Sequence, residues 1–441
     1  MYDALTPPPS TTEAGLVEAI AGRRDELVDL AASLIALDTT AAPGEPAREE
    51  VALQSLLAAR LRDAGLEVDV WEPSPESLPR NRMRLDARYD FRGRPQLLAR
   101  RRGSGGGPAL LLNGHVDVVP GAPLERWTSD PFRPEVREGL LYGRGACDMK
   151  GGVAAMVLAA ETLSRLDVRL AGDLIVNTVT EEESTGAGSV ATVARGVAAG
   201  GGLIPEPTGL RAWLGCRGSL LGTVAVDGRA GHAGLTQHDH SEGGAVNAIE
   251  KLAIVLGALQ RLREDWRTRP DARHPHLLPG GIVPTAVAAG EWLVSYPASA
   301  SLRFHVQYGP GQADGGGWGT VVEREIERCV AAAAETDSWL RIHPPRVTWS
   351  GDSPAHVVDP GEPVARIAMG VAADLGGHAG PAVRTTFFDA PTFSRAGIPT
   401  IGIGPGSIDV AHAPDEHVAI DDLVRAAQVL AVTAVRFCGT A

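Results

Sequence analysis

Three segments between residues 108 and 180 decide the fold: PALLLN (108–113), KGGVAAMVLAAETLSRL (150–166) and DLIVNTVT (173–180). The first and last are apolar runs of strand length, with too few polar positions to keep one face in water. The middle one is a run of small and aliphatic residues of helical length. Strands that alternate with helices imply an α/β domain, its mainly parallel sheet flanked by helices. Downstream, GSVATVARGVAAG (188–200) reads as the next helix and LIPEPT (203–208) as the end of a further strand. Upstream, residues 14–38 show helical periodicity through Leu16, Ile20, Leu27, Leu30 and Leu34, and a second helix over 47–64 stops at Gly65. Arginines crowd the stretch from Arg80 to Arg102. PQLLA within it is strand-like, GSGGG is a turn, and the run reads as surface rather than as an anion site.

Past residue 218 the pattern changes. SLLGTVAVDGRAGHAG is strand-like, EGGAVNAIEKLAIVLGALQRLRE a long helix and ASASLRFHVQYG a strand; TVVEREIERCVAAAAE is a further helix and LRIHPPRVTWSG a further strand. Two strand–helix–strand units predict a small α+β layer, one sheet with two helices on a face. A helix over 361–378, the strand-like TIGIGPG and the closing helix DDLVRAAQVLAVTAVRF then return to the first style. These changes predict a discontinuous α/β domain over 1–217 and 350–441, with an α+β domain, or lid, inserted over 218–349.

A chain of 441 residues exceeds what one core usually serves, which agrees with two domains. Its formal net charge of -13 argues against a nucleic-acid binder, which needs a positive field. The four cysteines, Cys147, Cys216, Cys329 and Cys438, are scattered; that is neither a disulfide framework nor a thiolate zinc site. MYDALTPPPSTTEAGL lacks the basic-then-apolar pattern of a signal peptide, and no apolar run is long enough to cross a bilayer. The expectation is a cytoplasmic protein with neither nucleic-acid nor membrane partners.

Four segments fall just beyond strand ends, where a parallel sheet places its ligands. In NGHVDVVPG, His115 and Asp117 follow the apolar strand, and the Asp117 carboxylate is placed to accept the second ring N–H of His115. YGRGACDMKGG sets Asp148 at a glycine-rich turn before a helix, where an N-cap is the plainer reading. TVTEEESTGAG puts Glu181, Glu182 and Glu183 directly after a buried strand, a costly place for repelling charges without a cation. In IPEPTG, prolines flank Glu206. Far downstream, AHAPDEHV offers His412 and His417. Together these make a nitrogen and oxygen donor set suited to zinc, cobalt or manganese.

With these segments in this order, the sequence resembles the co-catalytic zinc amidohydrolases and peptidases: acetylornithine deacetylase, succinyl-diaminopimelate desuccinylase, aminoacylase and glutamate carboxypeptidase. The likeness runs from the first helix to the last. It implies that His115 and Glu206 hold one metal, Glu183 and His412 the other, and that Asp148 bridges them. Glu182 is then the general base, with Glu181 where the family usually has Asp; a register one residue earlier, on Glu181 and Glu182, stays open. The implied reaction is hydrolysis of an amide in a small N-acylated amino acid or related compound, by a metal-bridged hydroxide. Metal coordination lowers the pKa of bound water to roughly 7, and the glutamate moves its proton to the leaving amine.

The resemblance also makes DGRAGHAG the segment whose histidine, His232, reaches the site of a partner subunit and stabilises the oxyanion, which implies a homodimer joined through the lids. Substrate contacts are expected from Arg303 or His305 on one strand face, from Asn247 at the start of the lid helix, and from Arg384. The chain departs from the family at FFDAPTFSRAGIP, which keeps Asp389 but has Pro391 where many members carry an arginine that grips carboxylate. Cys147 reads as buried filler. A dipeptidase or carboxypeptidase on the same site is the nearest rival, and a non-catalytic binding protein on the same fold is the rival from another class.

Overall fold

The computed structural model describes residues 11–41, 45–79, 82–83, 90–378, 380–382 and 386–441. The helix expected over 14–38 is two helices, Thr11–Ala21 and Arg24–Ile35. Arg23 leaves helical geometry at φ -104, ψ 20, after Gly22. Its buried guanidinium needs partners, and finds them 2.6 Å away at Glu161 and 2.7 Å away at the Thr162 hydroxyl. The break aims the side chain at those groups.

In the large unit the strands before the insertion are β1 (Glu67–Trp71), β2 (Gln96–Arg101), β3 (Leu110–His115), β4 (Leu174–Val179) and β5 (Gly201–Ile204). β3 and β4 are buried along their whole length and pair in parallel from Leu110↔Leu174 to His115↔Val179. β5 lies parallel to β3 on its other side, while β1 and β2 add antiparallel strands at the opposite edge. The helix Lys150–Arg165 covers the sheet and is buried from Lys150 to Leu163. Its first turn needs glycine: a Cβ on Gly152 would meet the Pro205 carbonyl at 2.1 Å. That close approach brings the helix start against the loop bearing Glu206.

The smaller unit is a four-stranded antiparallel sheet. Its strands are β6 (Gly218–Asp227), β7 (Gly281–Ala289), β8 (Ser299–Tyr308) and β9 (Arg346–Ser353), in the order β7-β8-β6-β9. Inward residues of β6 and β8, such as Leu220, Val224, Leu302 and Phe304, form one core with Val255 and Leu259 of helix Ala248–Trp266 and Ile326 and Val330 of helix Thr320–Ala334. β7 was not expected. Pro284 and a run of alanine and valine without polar alternation hide it, and it is an edge strand, exposed from Val283 to Ala289.

The units divide at Gly215/Cys216 and His356/Val357. The expected return at residue 350 is therefore too early. A bulge between Trp349 and Gly351 keeps β9 paired with β6 as far as Ser353↔Ser219. Buried Asp352 then accepts from the Tyr308 hydroxyl at 2.7 Å and from the Gly319 N–H at 3.0 Å, which ties it to the smaller unit. After the insertion, β10 (Thr400–Gly402) pairs in parallel with β5. It completes the sheet order β1-β2-β4-β3-β5-β10, and the closing helix Ile420–Cys438 packs on Lys150–Arg165. Among the described residues no helix is long and apolar enough to cross a membrane.

Candidate functional site

β3, β4 and β5 run parallel and end side by side, so the residues just past their C-termini converge. His115 is the last residue of β3, Glu183 follows β4, and Glu206 follows β5. Asp148 enters from the turn before helix Lys150–Arg165, and His412 from the loop before helix Ile420–Cys438. Two trios result. The donor atoms of His115, Asp148 and Glu206 all lie within 4.8 Å of one another, and so do those of Asp148, Glu183 and His412.

Asp148 belongs to both. Its Oδ1 stands 3.1 Å from His115 Nε2 and its Oδ2 3.3 Å from His412 Nε2, while Glu183 Oε1 lies 3.1 Å from that same nitrogen. The Asp148 carboxylate does not cap the helix; Met149 takes the N-cap position.

The electrostatics suit a cation. Burial, and then the Asp148 charge, pushes Glu206 well above the usual carboxylate range, and its Oε1 is buried without a hydrogen-bond partner. Burial disfavours a charged His115, but Asp148 and then Glu182 outweigh it and raise the imidazole well above its ordinary value. Hydrogen bonds to Asp148 and Glu183 raise His412 to about 10. Burial opposes ionisation of Asp148 too, yet the two histidines hold it below the ordinary carboxylate value.

The His412 imidazole is therefore protonated near neutrality in the metal-free chain, and a binding cation must displace that proton; His115 is shifted in the same direction. Zinc binding is expected to release protons and to tighten as pH rises toward about 10, where His412 loses its own. Each displaced proton weakens binding about tenfold per unit of falling pH. Calorimetric zinc titrations in buffers of different ionisation enthalpy, at two pH values near neutrality, measure this. Binding that neither releases protons nor weakens on acidification contradicts it.

The three glutamates after β4 have different surroundings. Glu181 takes a left-handed backbone, φ 70, and turns its carboxylate to buried Arg94 and, at 2.5 Å, to the Ser184 hydroxyl. Arg94 comes from the arginine-dense stretch, so that run is not all surface. Glu183, one place past Glu182, supplies the second trio with a carboxylate beside that of Asp148. Burial pushes Glu182 well above the carboxylate range against the pull of His115; Asp389, Glu206 and Glu183 add to the shift.

Asp117 corrects an expectation. Its backbone carbonyl, not its carboxylate, meets His115 Nδ1 at 2.9 Å; the carboxylate stands 3.7 Å away. The carboxylate instead accepts the N–H groups of Glu182 and Glu183 at 3.3 and 3.1 Å, donors the end of β4 leaves unpaired. Asp117 thus fixes the backbone under both glutamates.

Glu416 and Arg144, not among the expected site residues, form a buried pair at 2.6 Å beside the Asp148 turn. A glutamate four residues past His412, in a loop returning to the sheet, was the available signal. Asp389 is buried with its Oδ2 accepting from Ser189 Oγ at 2.6 Å, and burial pushes its carboxyl up to about 7. His417 pairs with the Asp415 carbonyl and begins a strand, His417–Ala419, outside both trios.

In the smaller unit His232 is exposed on a two-residue ribbon with Ser295, its Nδ1 accepting from the Gly234 N–H. Asn247 caps its helix through the Ile249 N–H at 3.0 Å. His305 meets Ser219 Oγ at 2.7 Å, and Arg303 is exposed on the same strand face. Arg384 lies outside the described residues.

The family described as peptidase family M20/M25/M40 matches residues 111–436. The chain is similar to an N-formyl-4-amino-5-aminomethyl-2-methylpyrimidine deformylase of Bacillus subtilis, 29% identical over 447 residues, with 96% of this chain and 97% of the relative covered. It is 31% identical over 395 residues to a succinyl-diaminopimelate desuccinylase of Stenotrophomonas maltophilia, covering 85% of this chain and 91% of that one. Among solved structures, a tripeptidase from Staphylococcus aureus superposes with a TM-score of 0.70 at 19% identity, covering 94% of this chain and 98% of its own.

Proposed function

The chain belongs to peptidase family M20/M25/M40 and is a metal-dependent hydrolase of amide bonds, and from that premise we propose that it removes a small acyl group from an amine with a pair of zinc ions. The observation that carries this reading is Asp148, with one oxygen toward His115 and the other toward His412. A carboxylate shared in that way is what two neighbouring dications need to offset their repulsion. The donors are imidazole nitrogens and carboxylate oxygens, a set that fits zinc, and the unpartnered oxygen of Glu206 supports a cation beside His115. His115, Asp148 and Glu206 would hold one ion, and Asp148, Glu183 and His412 the other.

When bound, such a pair supplies Lewis acidity and lowers the pKa of water to roughly 7. Glu182 takes the proton of the attacking water and returns it to the leaving amine, for which a raised carboxyl is suited. Asp117 keeps Glu182 and Glu183 in register through their backbone N–H groups. His232 donates a hydrogen bond to the developing oxyanion in the site of a second copy, so the working form is a homodimer joined through the smaller units. Exposed apolar residues there support an interface: Trp292 is 72% exposed, Leu293 102%, and β7 offers an open edge. Cytoplasmic residence suits the four cysteines, none of which is in a disulfide.

Metal analysis joined to a substrate panel tests the proposal. Loaded protein should hold close to two ions per chain and cleave N-formyl, N-acetyl or N-succinyl amines in preference to dipeptides. Full activity at one ion per chain rejects the pair, and preference for dipeptides rejects the acyl-amine class.

A further inference from the structure

Asp148 can face two trios only if its backbone is held, and the hold is visible. The N–H groups of Cys147 and Asp148 both donate to Glu416 Oε1, each at 3.0 Å. The other carboxylate oxygen, Oε2, accepts from Arg144 Nη1 at 2.6 Å, and Arg144 Nη2 reaches the Pro120 carbonyl at 3.3 Å. The Gly143 N–H donates to the Glu416 carbonyl at 2.9 Å, and His417–Ala419 pairs with Leu140–Tyr142. Glu416 and Arg144 are both buried. Glu416 therefore sits in the His412 loop while gripping the Asp148 turn.

We propose that Glu416 is a positioning residue that fixes Asp148 relative to His412, so that each Asp148 oxygen meets its own ion. The inference rests on the two-ion reading of the site. Two consecutive N–H groups converging on one oxygen form a small anion grip that sets where the Asp148 side chain begins. Arg144 balances the buried charge, so the grip adds no net negative charge to a site already rich in carboxylates. Partners that orient metal ligands act on affinity directly; losing one typically costs 10- to 100-fold.

The experiment compares two double variants that both remove the ion pair, of which one keeps an acceptor oxygen and the other has none. Arg144→Met/Glu416→Gln keeps an oxygen for the two N–H groups, and Arg144→Met/Glu416→Leu does not. Metal-free proteins are titrated with zinc alone, circular dichroism checks the fold, and the cobalt(II) absorption spectrum reports ligand geometry. The glutamine pair should bind within about threefold of wild type, and the leucine pair about 10- to 100-fold more weakly at every ion, with an altered cobalt spectrum.

Wild-type affinity in the leucine pair overturns the proposal. So does equal weakness in both pairs, which would make the charge rather than the oxygen responsible. If the leucine pair does not fold, Glu416→Asp decides, because it keeps the charge but withdraws the carboxylate from the N–H groups. Weaker binding there supports the proposal, and unchanged affinity overturns it. A wild type that takes up one ion fails the two-ion reading instead. The leucine pair's affinity for that single ion still measures the hold on Asp148.

Discussion

Glu182→Gln is expected to leave metal content nearly intact while turnover falls by about 100-fold or more, the usual scale of general acid–base catalysis. Glutamine keeps the size of the side chain but cannot take a proton. Glu182 lies outside both trios, so changing it is expected to leave the proposed metal ligands in place. Burial raises its carboxyl above the ordinary carboxylate range, the direction that suits a group that must take up a proton. Glu181→Gln provides the contrast. Glu181 faces Arg94 and Ser184, so the loss there falls on stability, about 1–3 kcal/mol for a weakened buried interaction, with turnover per folded chain preserved. Turnover and bound metal measured on both variants decide between them. If Glu181→Gln lost turnover with its metals in place while Glu182→Gln stayed active, the assignment of the base would be wrong by one residue.

His232→Ala should be nearly as damaging. Removing an oxyanion donor costs on the order of 3 kcal/mol in the transition state, more than 100-fold in rate. Metal binding should be spared, since His232 belongs to neither trio. In the proposed homodimer each site takes its base from one chain and this histidine from the other. Mixed dimers of His232→Ala and Glu182→Gln chains then contain one site with both lesions and one with neither. Two inactive proteins should regain activity, up to about half a site's worth per chain pair, when they exchange subunits. Continued inactivity in verified mixed dimers rules out the shared site, and so does a fully active monomer.

The proposed ligands His115, Glu183 and Glu206 stand out in the sequence because each lies at or soon after an apolar strand end, which composition reveals, and Asp148 because it precedes a helix; His412 and the ligand roles came from the family resemblance. His115 closes β3 and Glu206 follows β5 by two residues. Less legible were features that depend on partners distant in sequence. Nothing local separates Glu416 from its neighbour Asp415, yet one is buried against the Asp148 turn and the other accepts from Thr128 at the surface. The break at Arg23 depends on Glu161, and the turn at Glu181 on Arg94. β7 escaped notice for a different reason: an exposed edge strand needs no polar alternation, and Pro284 argues against a strand unless it lies at an edge.

The insertion between β5 and β10 bears on how the protein is made. Leu203 pairs with Ile401 in the finished sheet, so the two are neighbours in space but far apart in order of synthesis. The smaller unit, almost all of it the single stretch Cys216–His356, has its strand partners within its own segment and can fold as it leaves the ribosome. The large unit must wait for β10, for the loop with His412 and Glu416, and for the helix that covers Lys150–Arg165. A nascent chain that has reached residue 411 carries His115, Asp148, Glu183 and Glu206 but neither His412 nor the glutamate that steadies Asp148. The order of the chain thus delays the proposed metal centre until synthesis has passed the loop with His412 and Glu416, well after its other four donors have been made.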